Sequence, residues 1–117
     1  MGINLVVYKR DPAKVRPDHS LGSFDSEPVS ERGGWWDSYR HVGDDEFWTY
    51  FYEHGECVID GDRAPSFMDD RYRFWRLTDH EAARRWVREN LPDNQSRFLD
   101  LIDHFEADPN LYLDAIL

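Results

Sequence analysis

Eighteen aromatic side chains have to be housed by a chain of only 117 residues. Each can bury about 150–250 Å². A fold that contains them needs a broad, continuous apolar interior, and a domain this small has little room for it, so some rings are expected at the surface. Two of them, Trp35 and Trp36, are neighbours in sequence. Adjacent side chains diverge in both helix and strand, so placing both inside is difficult and one is expected to face outward.

The second constraint is charge. The chain carries a formal net charge of −10, beyond the roughly 2–8 usual for a small soluble domain. Asp44 to Asp70 contains nine acids and one base, Arg71 to Arg88 six arginines and two acids, and Glu89 to the C-terminal end seven acids and one base. Such a surface repels nucleic acid and steers toward basic proteins. The length fits a single domain. The longest apolar runs, Leu5-Val6-Val7-Tyr8 and Tyr50-Phe51-Tyr52, are far short of a spanning helix. The start lacks a signal-peptide pattern, and Leu5-Val6 stands where a myristoylation motif wants Ser or Thr. Cys57 is the only cysteine, so no internal disulfide forms and a reducing cytoplasm is the natural setting. No membrane partner is expected.

Periodicity and turn residues predict a single α+β domain over residues 1–117, with a small sheet of about three strands and two to three helices packed on one face. Ile3–Lys9 reads as a buried strand. Residues 10–34, punctuated by Pro12, Pro17, Gly22, Pro28 and Gly33-Gly34, read as a long loop, a class often functional. Asp44-Asp45-Glu46 has the acidic character of a helix start, and His54-Gly55 reads as its stop. The competing reading of residues 44–60 is a hairpin turning at His54-Gly55. Glu56–Asp60 and Arg71–Leu77 read as strands. Thr78 and Glu81 have capping-box spacing, and the helix they open ends at Leu91-Pro92. Asp93 or Asn94 then caps a helix striped by Phe98, Leu101, Ile102 and Phe105. Asp108-Pro109 reads as the start of a last helical turn.

The Met-Gly-Ile opening with its apolar strand, together with Arg40-His41-Val42-Gly43-Asp44-Asp45-Glu46-Phe47, resembles a group of small bacterial and prophage proteins. The resemblance covers two short stretches and implies no activity.

No phosphate-binding glycine loop, cysteine pair or nucleophile elbow occurs, so no catalytic residue and no cofactor is expected. His41, Asp44, Asp45 and Glu46 form the densest set of potential metal ligands, but acids at a helix start already serve the helix dipole. A small metal-binding protein or enzyme built on them is the alternative reading. Asp60-Gly61-Asp62 lacks the remaining ligands of a calcium loop and reads as a turn. Cys57, in an apolar strand, reads as a small buried hydrophobe. Arg73, Arg76, Arg84, Arg85 and Arg88, with Trp75 and Trp86, have the composition of a phosphate-and-base-stacking surface, which the total charge opposes.

The favoured reading is a non-catalytic acidic protein-binding module that inhibits a basic or nucleic-acid-binding partner. A phage anti-defence protein (an anti-CRISPR or a DNA mimic) and a toxin-immunity protein both fit. The residues expected to touch the partner are Trp35, Trp36, Tyr39, Asp44, Asp45, Glu46 and Glu53, aromatic anchors beside a charged rim. Should Trp36 belong to the core, the acidic segment around Asp100, Asp103 and Glu106 is the next place to look. The oligomeric state is not readable from the sequence.

Overall fold

The computed structural model describes residues 3–11, 13, 27–57 and 74–116. Within them a four-stranded antiparallel sheet is covered on one face by three helices. The strands are β1 (Asn4–Lys9), β2 (Glu56–Cys57), β3 (Trp75–Arg76) and β4 (Leu111–Ile116), in the order β1-β4-β3-β2. The helices are α1 (Asp44–His54), α2 (His80–Asn90) and α3 (Gln95–Ala107). The α+β class and the one-sided helical layer are as expected, and α1 resolves the helix-or-hairpin ambiguity in favour of the helix.

Strand alternation sorts the aromatics. Leu5, Val7, Trp75, Leu111 and Leu113 join the cluster built by Phe47, Trp48 and Phe51 of α1, Ala83 and Val87 of α2, and Phe98, Leu101, Ile102 and Phe105 of α3. Val6, Tyr8, Phe74 and Tyr112 form a second buried cluster on the opposite side, where Tyr8 meets Phe74 edge-on at 5.2 Å. Both sheet faces are therefore buried, and β1 is apolar at four consecutive positions, as a doubly covered strand must be.

The last element corrects the sequence reading. Instead of a helical turn, Asp108-Pro109-Asn110 makes a tight turn. The Leu111 N–H donates to the Asp108 carbonyl at 3.2 Å, and the Asn110 N–H donates to the Asp108 carboxylate at 3.0 Å. Pro109 fits this turn because its fixed φ suits the second position. The chain then enters β4, which pairs with β1 from Asn4↔Ile116 to Lys9↔Leu111 and with β3 at Trp75↔Leu113.

Smaller corrections concern caps. Asp79, not Thr78, caps α2, its carboxylate accepting from the Ala82 N–H at 3.0 Å. Asn94 precedes α3 without a side-chain cap. Gly55 ends α1 in extended rather than left-handed backbone. Its glycine is needed for space, since a Cβ there would lie 2.6 Å from the Arg76 carbonyl oxygen. Of the expected long loop, Val29–Arg32 forms a 3-10 turn, while residues 14–26 lie outside the described residues. So do Asp60 to Asp62 and Arg71 to Arg73. Only the start of the expected Glu56–Asp60 strand and the end of the Arg71–Leu77 strand are described, and there the Cys57 backbone pairs with Trp75.

Candidate protein-binding surface

The segment from Gly34 to Gly43 has no regular structure, yet it is tied down along its length by α3 and by the start of α1. Trp35 and Trp36 diverge as their adjacency requires. Trp36 turns inward, is 4 % exposed, and donates its indole N–H to the Leu5 carbonyl at 2.8 Å, occupying a backbone acceptor of β1. Trp35 turns outward, is 38 % exposed, and lies flat against the His104 imidazole at 3.7 Å with the rings 2° from parallel.

Arg97 of α3 is the centre of the arrangement. Its guanidinium sits 3.9 Å from the Trp36 ring centroid, on the ring face, where the quadrupole attracts cations. One of its nitrogens donates to the Asp37 carbonyl at 2.9 Å, and another lies 3.4 Å from the Asp44 carboxylate. That carboxylate also accepts the His41 N–H at 2.9 Å. The Asn94 side-chain amide donates to the Val42 carbonyl. Gly43 then turns the chain into α1 at φ 96°, a backbone conformation open to glycine. Asp37 bends the middle of the segment by accepting the Tyr39 N–H at 2.9 Å, with His41 at 3.2 Å from its other oxygen. The Tyr39 N–H, and then the His41 hydrogen bond, hold the Asp37 carboxyl below its usual range.

Two of the residues expected to touch a partner are thus internal. Trp36 is core. Asp44 is fully buried, 0 % exposed, because the loop amide and Arg97 both require its carboxylate. The others lie outside. Tyr39 is 81 % exposed and Glu46 and Glu53 are exposed, while Asp45 is half-buried. Asp45 accepts the Ile3 N–H at 3.0 Å and lies 3.7 Å from Arg40. Glu53 stands two turns along α1 from Glu46, about 10 Å away at 1.5 Å per residue, so it belongs to the flank of the patch. Val42, 78 % exposed, was not among the expected contacts, nor were Asp37, Arg97 and His104. Arg97 reaches Asp44 across 53 residues of sequence, a pairing that local pattern does not reveal.

Shallow clefts border this loop, among them one of about 490 Å³ bounded by Glu31, Trp35, Asp37 and Tyr39 and one of about 410 Å³ bounded by Arg40, Val42, Asp45 and Glu46. The helix-start acids Asp44, Asp45 and Glu46 do not gather with the His41 imidazole as a ligand set. Asp44 is committed to Arg97, Asp45 to the Ile3 amide and Arg40, and among the described residues no three His, Cys, Asp or Glu side chains gather as a metal site.

Two arginines of the arginine-rich stretch, Arg76 and Arg84, serve the protein's own acids. Arg84 is buried and bonded to Glu81 of α2 and to Asp103 and Glu106 of α3, with Nη2 2.8 Å from Asp103 and 2.9 Å from Glu106. The Glu106 and Asp103 hydrogen bonds hold its guanidinium well above the ordinary arginine value, and Arg84 in turn holds Glu106 below the usual carboxylate range. Arg76 bonds Glu56 through Nε at 2.7 Å. Trp75 is fully buried and Trp86 stacks on Tyr50 at 4.7 Å. Arg85 and Arg88 are exposed.

Against known proteins, the chain matches no family model, no curated protein and no solved structure. No helix among the described residues is long and apolar enough to cross a membrane.

Proposed function

We propose that the protein is a non-catalytic, acidic protein-binding module acting in the cytoplasm, whose partner is a basic or nucleic-acid-binding protein that it blocks or sequesters. A phage-borne inhibitor of a host defence nuclease complex and an immunity protein against a toxin are the two settings that suit it. One observation carries the reading. Tyr39 and Val42 project almost fully into solvent from a segment that Arg97, Asp44 and Asn94 pin at its middle and end. The fold gains no burial from these two side chains, whereas an interface gains a preorganised anchor that loses little entropy on binding. Asp37, Asp45 and Glu46 beside them supply the charged rim, and the net charge of −10 supplies long-range attraction.

The test is comparative capture from the source cell with wild type and with Tyr39→Ala/Val42→Ser. The expected result is a basic protein retained by the wild type and lost by the double variant, while both melt at the same temperature. With that partner purified, its association rate falls sharply between low and physiological ionic strength, where the screening length shortens to about 8 Å. Equal capture by both baits, or a salt-independent association rate, overturns the reading.

A further inference from the structure

The clefts of about 490 and 410 Å³ beside the loop differ in their chemistry. The one on the Trp35 side brings two carboxylates, Glu31 and Asp37, together with two aromatic rings, Trp35 and Tyr39. Trp35 and Asp37 are held in place by the protein itself, before any ligand arrives. His104 covers one face of the Trp35 indole and so leaves the ring's exposure toward the cleft. Asp37 is oriented by the Tyr39 N–H and by His41, and it stays ionised to lower pH than an ordinary aspartate. Among the described side chains, Arg97 is matched by Asp44 and Arg40 by Asp45.

The molecule already uses this combination internally. The Arg97 guanidinium lies over Trp36, donates to the Asp37 carbonyl and faces the Asp44 carboxylate. The outer side of the same loop repeats the elements with Trp35, Tyr39, Asp37 and Glu31. Indole and phenol faces attract a cation, and a guanidinium stacks on a ring while its N–H groups fork toward carboxylates, which an ammonium cannot do.

From this repetition we infer that the cleft between Glu31 and Tyr39 seats an arginine side chain of the partner, its guanidinium stacked on an aromatic ring and hydrogen-bonded to Asp37 or Glu31. This rests on the protein-binding reading and specifies what the partner presents to the loop.

The test uses a small probe, so that it does not depend on finding the partner. The isotope-labelled full chain is titrated with N-acetyl-arginine amide and, in parallel, with N-acetyl-citrulline amide, which keeps the shape and removes the charge. The Trp35 indole N–H and the Asp37 and Tyr39 amides are expected to shift with the arginine probe at millimolar concentration and to stay in place with the citrulline probe. Trp35→Ala is expected to weaken the arginine effect about two- to fivefold. Glu31→Gln, which disturbs none of the contacts holding the loop, is expected to weaken it to a similar degree. Equal shifts with both probes, or shifts confined to the acids of α1 and α3, overturn the inference. A partner lost by Tyr39→Ala/Val42→Ser, but with no arginine-specific shift at the cleft, removes the arginine seat and leaves the binding module standing. An arginine-specific shift supports the seat even where no partner is captured.

Discussion

Among the described residues, Arg84 and Arg97 reach inward, and they are held in opposite ways. Arg84 sits between α2 and α3, and its three carboxylates, Glu81, Asp103 and Glu106, are all more than half exposed. Arg97 sits under the loop, and the carboxylate it faces, Asp44, is entirely buried. The first arrangement is a surface network in which water can replace any one partner. The second is an internal clasp with few substitutes, because its groups have left water and depend on each other. A helix pair with an apolar stripe stays in place if its charges are lost. An irregular segment has no backbone ladder of its own, so the clasp supplies its shape.

That contrast orders the expected effects. Asp44→Ala should be among the most damaging single changes, costing about 3–5 kcal/mol, since it strands the Arg97 charge and the His41 amide. Urea denaturation measures it, and a cost under about 1 kcal/mol would abolish the distinction between the two arginines. Trp36→Ala should cost a comparable 3–5 kcal/mol through the cavity it leaves, with the Leu5 carbonyl losing its donor besides. Arg84→Met should be milder, about 1 kcal/mol in the same assay, because its partners are exposed and remain solvated after its loss. A larger loss there would mean that the network holds α2 against α3. Smallest of all, Tyr39→Ala and Val42→Ser should each stay within about 0.5 kcal/mol of wild type. A larger drop would make these side chains structural.

Acid should reach both regions together. Glu106 beside Arg84 and Asp37 beside the Tyr39 amide are both held below their ordinary values of 4.5 and 3.8. A lowered folded-state value means that the stabilisation is fully present above the ordinary value and is lost as pH falls through the folded one. Melting temperature should therefore show no loss from these two groups above about pH 5 and decline progressively below it. Glu106→Gln should flatten part of that decline, and an unchanged acid limb would show that other carboxylates dominate it.

The same contrast explains what was readable from sequence. The three helices are local: acids at the start of α1, the Thr78–Glu81 spacing one residue away from the true cap of α2, Asp79, and the Phe98-Leu101-Ile102-Phe105 stripe of α3. Each is announced within a few residues, as is β1 by its β-branched run. β4 was missed because both its faces are buried, so it shows no alternation, and because Asp114 interrupts an apolar run that follows a proline turn. The patch was half legible. That Trp35 and Trp36 must part was evident from their adjacency, but which one goes inside depends on the Leu5 carbonyl and on Arg97. Asp44 looked like a helix-start acid and is one in position, yet its burial is set by Arg97 from another helix.

The pairing of β1 with β4 also bears on how the chain reaches this structure. Asn4 lies opposite Ile116 and Lys9 opposite Leu111, so the longest ladder among the described residues joins strands about a hundred residues apart. Contacts this remote in sequence slow folding, because the loop must close before the ladder rewards it. On a ribosome adding about 5–20 residues per second, β1 emerges roughly 5–20 s before its partner. Throughout that interval Leu5, Val6, Val7 and Tyr8 have no β4 to pair with, a sticky strand with an open edge. The nascent chain is then a natural client for a holding chaperone, and expression should suffer more from crowded, fast synthesis than the stability of the finished domain would suggest.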